Sequence, residues 1–294
     1  SSAFSVLGSY WWVYTPVILA FGVFEAYRNY TRARYLGSLK WVLLEIIPPP
    51  DVQKSPKIAE NIFSGLHGVY SKSMKFKKQF FEGKVPDWFS FEIVSNAGDM
   101  HFYIRTLESN RNLVENQIFS QYPDAEIRVA DDYIMLLPDS LPDDDYDLFG
   151  AELIFTKENA YPIKTYPFFE EESGKDEFKR TDPLAPLAEI MTSIGPGEHL
   201  WLQLLARPTG SAWTEEAQPV IDKIIGKKPK PPEPDIFSKA ITSGIEALTP
   251  SGEKKEEKKE NKEEFNLQKL TPGQKFVLEQ IEAKIAKLAF KSGY

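Results

Sequence analysis

Three patterns of hydrophobic and polar positions divide this chain, and each predicts a different kind of element. The first is an uncharged run: no Asp, Glu, Lys or Arg occurs from Ser1 to Phe24, and Arg28, Arg32 and Arg34 follow within two helical turns. As a helix, about 24 residues reach roughly 36 Å, more than a hydrocarbon core near 30 Å. Trp11 and Trp12 precede the densest apolar stretch, with Phe21 and Phe24 inside it and Tyr27 and Tyr30 after it, where an interfacial aromatic belt would lie. The pattern predicts a transmembrane helix with its basic juxtamembrane segment over 1–36, the arginine flank placing everything after it in the cytoplasm. A signal peptide would carry its charge before the apolar run. Ser5, Ser9, Tyr14, Thr15 and Pro16 dilute the run, which leaves a buried core helix as the competing reading.

The second pattern alternates short apolar strands with helical periodicity. Leu39 to Ile47 is nearly continuous apolar sequence ended by Pro48-Pro49-Pro50, which reads as a strand buried on both faces. Ser55-Pro56 opens a helix carrying Ile58, Ile62, Phe63, Leu66, Val69 and Tyr70. Phe89, Phe91 and Ile93 alternate with Ser90, Glu92 and Val94, Asn96-Ala97-Gly98-Asp99 is a hairpin signal, and Phe102 and Ile104 continue the return strand. A second helix presents Leu113, Val114, Ile118 and Tyr122, and a short strand runs from Ala125 to Val129. The order β-α-β-β-α-β predicts a ferredoxin-like (split βαβ) domain over 37–133.

The same kinds of signal resume after an acidic bridge at 134–147. Strands are expected over Leu148 to Thr156 and around Tyr161 to Tyr166. A helix follows from Asp182-Pro183, then a central strand through Leu200, Leu202 and Leu204, then a helix over Thr214 to Ile225. This predicts a second α+β domain at 148–226. The third pattern is an absence of pattern: proline and unalternated charge over 227–264 predict a disordered linker. Within it, Ile236, Phe237, Ile241 and Ile245 read as a transient helix. A helix bearing Val277, Leu278, Ile281, Ile285 and Leu288 then returns over 265–294 to the second domain. The chain stops soon after it, so that domain is expected to be incomplete at its C-terminus, as a piece of a longer sequence. The predicted fold is therefore α+β: a transmembrane helix followed by two ferredoxin-like domains, the second unfinished.

Composition narrows the chemistry. The 294 residues carry a net charge of −8, which gives the whole molecule no electrostatic footprint for nucleic acid. There is no cysteine, which excludes thiol catalysis, disulfides and thiolate metal sites. His67, His101 and His199 fall on separate elements with no neighbour at ligand spacing, so no metal site is predicted. Asp143-x-Asp145-x-Asp147 begins like a calcium loop, but Leu148 occupies the glycine position and Ile154 the twelfth. Phosphate-loop and nucleophile-elbow motifs are absent, and Gly195-Pro196-Gly197 lacks a donor where a phosphate cradle needs one. No catalytic residue, cofactor or metal is expected, and the chain reads as a non-enzyme.

One basic-aromatic patch remains: Lys72, Lys75, Phe76, Lys77, Lys78, Phe80 and Phe81, candidates for contact with lipid, nucleic acid or a protein partner. The strand Asp99 to Thr106 lacks the glycines and basic start of an RNA-reading sheet, which counts against nucleic acid.

Taken together, LKWVLLEIIPPPDVQKSPKIAENIFSGLHGVY, VPDWFSFEIVSNAGDMHFYIRT, NLVENQIFSQYPDAEIRVADDY and DPLAPLAEIMTSIGPGEHLWLQLLARP resemble an uncharacterised, membrane-anchored domain family of candidate-phyla (Patescibacteria-type) bacteria. The family is associated with genes beside or fused to type IV secretion and conjugation-type ATPases. The resemblance implies a single-pass inner-membrane protein. Its cytoplasmic domains would form a docking scaffold for such a machine, with the lipid bilayer and a secretion ATPase as partners. The alternative is a membrane-tethered nucleic-acid-binding protein at a DNA-transport gate.

Overall fold

The computed structural model describes residues 11–50, 55–70, 76–172, 184–211, 213–226 and 270–293. Ser1 to Tyr10, Lys72, Lys75, Asp182-Pro183 and the expected linker at 227–264 lie outside the described residues. Two compact units divide the chain: Ser1–Thr156 with Ile163–Ser211 and Leu288–Tyr294, and Lys157–Pro162 with Ala212–Lys287.

The first unit is built on one sheet. Strand β1 (Trp41–Ile47) is followed by helix α2 (Ile58–Leu66), strands β2 (Phe89–Asn96) and β3 (Asp99–Leu107), helix α4 (Arg111–Gln121) and strand β4 (Glu126–Ala130). Helix α1 (Trp11–Ser38) precedes them, and a short helix α3 (Phe76–Phe81) lies between α2 and β2. Helices α5 (Tyr166–Glu172) and α6 (Ala185–Ser193), strand β5 (His199–Thr209) and strand β6 (Ala289–Gly293) complete the unit. The sheet is antiparallel throughout, in the order β4-β1-β3-β2-β5-β6.

Two ferredoxin-like domains are therefore not what forms. The strand expected at the centre of a second domain, β5, pairs with β2 from Phe89↔Ala206 to Asn96↔His199 and extends the first sheet. The reason lies in β2: Phe89 and Val94 are fully buried from opposite faces, and Ser90 and Ser95 nearly so, so β2 cannot be an edge. β6 then pairs with β5, so a strand follows the returning helix where none was expected. The expected strands at Leu148–Thr156 and Tyr161–Tyr166 do not form; the former has no regular structure, and Tyr166 instead begins α5.

Helices cover one face of the sheet. Leu44, Phe89 and Ile104 pack there against Leu66 of α2 and Val114 and Ile118 of α4. At the hairpin end of this face, Ser95 Oγ donates to the Met191 carbonyl of α6. Gly98 sits at φ +87°, and a Cβ there would come within 2.8 Å of the Thr192 carbonyl, so α6 approaches the β2–β3 turn as closely as glycine allows.

The membrane anchor is overturned: among the described residues no helix is long and apolar enough to cross a membrane. Within α1 the unbroken uncharged stretch ends at Phe24, and the helix carries Glu25, Arg28, Arg32 and Arg34 over its second half. Thr15 and Pro16 dilute that stretch, and Glu25 and Arg28, which pair with each other, end it. The second half of α1 is instead a docked protein helix. Phe24 stacks on Phe80 of α3 with centroids 4.6 Å apart, and the buried Thr31 hydroxyl lies 3.3 Å from the Phe80 carbonyl. Gly83, at φ +65°, abuts the Thr31 carbonyl where any Cβ would clash.

The second unit contains α7 (Trp213–Ile224) and α8 (Pro272–Ile285), which enclose Ala160, Ala217, Val220 and Ile281. A capping box between Thr271 and Gln274 starts α8, with Pro272 in the first turn. Lys284 Nζ donates to the Asn159 and Tyr161 carbonyls and ties the 157–162 loop to this helix.

Candidate functional site

The sheet face opposite the helices sets polar side chains among a smaller apolar cluster of Leu43, Val94, Tyr103 and Trp201. The two-residue turn at Ala97-Gly98, both at positive φ, fixes the β2–β3 register so that Glu92 faces Tyr103 and Ser90 faces Arg105. The neighbouring registers complete a row of five residues abreast: Arg128, Glu45, Tyr103, Glu92 and Gln203. Glu92 lies in the middle strands with its side chain only 1% exposed.

A strap just after β4 crosses this face. Tyr133, in a single 3-10 turn (Tyr133–Leu136), is 3% exposed. Its hydroxyl donates to Glu92 Oε2 at 2.8 Å and accepts from Gln203 Nε2 at 2.7 Å. Its ring stacks on Tyr103 at 5.6 Å and meets Trp201 edge-on at 4.8 Å, with the Arg105 guanidinium 5.7 Å from its centroid. The preceding Asp132 holds Arg105 through two bonds, at 2.6 and 3.0 Å, and its Oδ1 also accepts from Ile134 N. Arg105 Nε reaches Glu92 Oε1 at 3.2 Å. One guanidinium thus serves two carboxylates, one buried in the sheet and one brought by the strap.

The electrostatics follow from this arrangement. Hydrogen bonds from Arg105 hold the Asp132 carboxyl below its ordinary range, and the same bonds raise the Arg105 guanidinium. Burial, with Glu92 beside it, pushes the Tyr133 phenol up to about 12. Glu92, Arg105, Asp132, Tyr133 and Gln203 bond one another, while the buried Trp201 Nε1 and Ser90 Oγ beside them find no partner among the described residues. Chemically the cluster is a clamp that fixes the strap, with the Glu92 charge neutralised on the spot.

At the hairpin end of the same face, His101 Nδ1 lies 2.7 Å from Glu45 Oε1 and its Nε2 3.2 Å from Asp99 Oδ2. The His199 Nδ1 contacts Asn96 Oδ1 at 2.9 Å. His67 lies elsewhere, its Nε2 3.0 Å from the Thr209 carbonyl. Among the described residues no cluster of histidines and acids could hold a metal ion. Asp143 Oδ1 accepts from the amides of Asp145 and Tyr146, an Asx turn in place of a cation loop.

None of the anchor or basic-aromatic residues singled out in the sequence is a member of the clamp. Of the anchor set, Trp12 and Phe21 are exposed on α1, Phe24 stacks on Phe80, Arg28 pairs with Glu25, and Arg32 and Arg34 follow on the same helix. Of the basic-aromatic set, Phe76, Lys77, Lys78, Phe80 and Phe81 fall on α3; Lys78 and Phe81 are exposed, and Phe80 packs under α1. The Glu92–Arg105–Asp132–Tyr133–Gln203 clamp was missed. The hairpin register alone places Arg105 diagonally beside Glu92; nothing local in the sequence marks Tyr133 or Gln203 as its partners.

A family model described as Domain of unknown function (DUF8128) matches residues 35–291. No curated protein and no solved structure matches the chain. Nothing in these findings links the chain to secretion or conjugation. The membrane-anchored scaffold, the membrane-tethered nucleic-acid-binding alternative at a DNA-transport gate, the lipid bilayer as partner and the single-pass inner-membrane location all required the anchor and are overturned with it, and nothing here supports a secretion ATPase as partner.

Proposed function

The chain belongs to this family of domains of unknown function, which lends it no activity, and from its own surface we propose that it is a non-enzymatic module that associates with copies of itself. One observation carries the reading. On α1, Val17, Ile18, Leu19, Phe21 and Val23 are all exposed. At about 100° per residue they point to every side of the helix, and a helix apolar all round is normally buried in protein or lipid. Among the described residues no helix is long and apolar enough to cross a membrane, and we take protein as the cover. The stretch from Trp11 to Phe24 has no charge to reject a second copy, so like helices satisfy one another. Burial contributes roughly 1.5–3 kcal/mol per large apolar side chain. Two or three such side chains per copy are comparable to the cost of association, about 4–15 kcal/mol. The assembly is therefore expected to be concentration-dependent.

Sedimentation velocity over a concentration series tests this. The mass is expected to rise with concentration, and Ile18→Glu, at an exposed position that leaves folding intact, is expected to return the chain to monomer. A monomer at every concentration would overturn the reading.

A further inference from the structure

A second apolar surface lies far along the chain from α1. Between Asp147 and Thr156 the chain has no regular structure, and Leu148, Phe149, Leu153 and Ile154 are exposed, Phe149 at 92% and Ile154 at 78%. Leu148 N donates to its neighbour's Asp147 Oδ1. From Phe149 to Ile154, no backbone hydrogen bond joins this stretch to another described segment. Large exposed apolar side chains on a stretch with no backbone bond to another described segment fit a strand that pairs outside its own sheet.

The residues themselves say which neighbour fits. Leu148-Phe149-Gly150-Ala151-Glu152-Leu153-Ile154 has two large apolar residues at each end and smaller or polar ones between. Resting on the self-association reading, we propose that this segment pairs with the same segment of a second copy, antiparallel about a two-fold axis through Ala151. In that register Leu148 faces Ile154 of the other copy, Phe149 faces Leu153, Gly150 faces Glu152, and Ala151 faces itself. Every large apolar side chain meets another, and Phe149, Ala151 and Leu153 from both copies share one face. A register one residue further on sets Glu152 against Glu152, like charges directly opposed. One residue the other way sets Glu152 against Leu148. Charge and size therefore select one pairing, and the pairing is isologous, closing at a dimer.

The area sets its strength. A buried aromatic contributes about 150–250 Å². Four large side chains then give on the order of 500 Å² per copy, below the roughly 800 Å² per partner of a standard interface. The ribbon is a weak dimer contact that acts together with other association surfaces.

The absence of cysteine makes the pairing testable in the whole chain. In the proposed register the two Ala151 Cα atoms lie about 4.5–5.5 Å apart, within disulfide reach. With oxidised glutathione as the oxidant, Ala151→Cys is expected to form a disulfide dimer about tenfold faster than Thr156→Cys, whose partner position lies several residues away. Phe149→Asp, at a solvent-exposed position, is expected to weaken association without changing the melting temperature. If the unmodified chain associates but Ala151→Cys cross-links no faster than Thr156→Cys, the ribbon is wrong and self-association stands. If the chain is monomeric throughout, both are wrong.

Discussion

The two faces of the sheet are held by different physics. Under α2 and α4 the fit is apolar: Leu44, Leu66, Phe89 and Val114 are fully buried, with only shape and hydration to place them. The other face buries Leu43, Val94 and Tyr103 as well, but it has a charge among them. Glu92 is as buried as any of those residues and is tolerated there because Arg105 and Tyr133 reach it. The apolar face tolerates loss in proportion to the volume removed, whereas the polar face is all-or-none around one carboxylate. An apolar core can be repacked residue by residue, but a buried charge has to be kept or removed together with its partners.

The largest expected effects are of similar size on both faces, and the comparison lies in how they can be rescued. Phe89→Ala is expected to cost about 3–5 kcal/mol by leaving a cavity. Arg105→Met is expected to cost about 3–5 kcal/mol by leaving Glu92 buried and unpaired. Adding Glu92→Leu to Arg105→Met removes the stranded charge and should recover most of that loss, whereas no second truncation refills the Phe89 cavity. Urea denaturation of the two single variants and the double variant measures this directly. Additive losses at 92 and 105 would break the contrast.

The apolar face could be read from sequence because its signal is local. Val42, Leu44 and Ile46, or Phe89, Phe91 and Ile93, repeat at the period of a strand, and α2 and α4 repeat at the period of a helix. What sequence pattern does not carry is which sheet a strand joins. His199–Thr209 reads as a central strand in either of two domains, and only the two-sided burial of β2 decides. The expected strand at Leu148–Thr156 has a strand's composition but joins no sheet among the described residues, so propensity alone misplaced it. In α1 the uncharged run hid the docking of the helix's second half, where Phe24 stacks on Phe80 of the basic-aromatic patch. The clamp was harder still. Tyr133 is a lone aromatic at the edge of an acidic stretch, and its hydroxyl's partners lie 41 residues before it and 70 after it.

Next in size comes the phenol itself. Tyr133→Phe keeps the ring against Tyr103 and Trp201 but removes the donor to Glu92 and the acceptor for Gln203. The expected cost is about 1–3 kcal/mol. The alkaline limb gives a sharper readout. Because folding raises the Tyr133 phenol from its ordinary 10 to about 12, its contribution is complete below pH 10 and fades as pH rises towards 12. Thermal melts across that window should fall more steeply for the unmodified chain than for Tyr133→Phe. Parallel curves would detach the tyrosine from the buried charge.

The smallest expected effects separate burial from geometry. Asp132 grips Arg105 through two bonds, and Glu126 grips Arg128 through two bonds of similar length, at 2.9 and 2.8 Å. Arg105 is 22% exposed and Arg128 58%, so water and salt screen the second pair far more than the first. Both carboxyls are held below their ordinary values by their arginines. The sign for a depressed carboxyl is fixed: its stabilisation is present above the unfolded value, near 3.8 for Asp132, and is lost as pH falls through the lower folded value. Acid titration of stability should therefore show a loss below about pH 4 that Asp132→Asn removes in part. Glu126→Gln should leave the melting temperature and the acid limb unchanged. If Glu126→Gln shifts the acid limb as much as Asp132→Asn does, hydrogen-bond geometry outweighs burial on this face. The clamp around Glu92 would then owe its strength to the fork of Arg105 rather than to its seclusion from water.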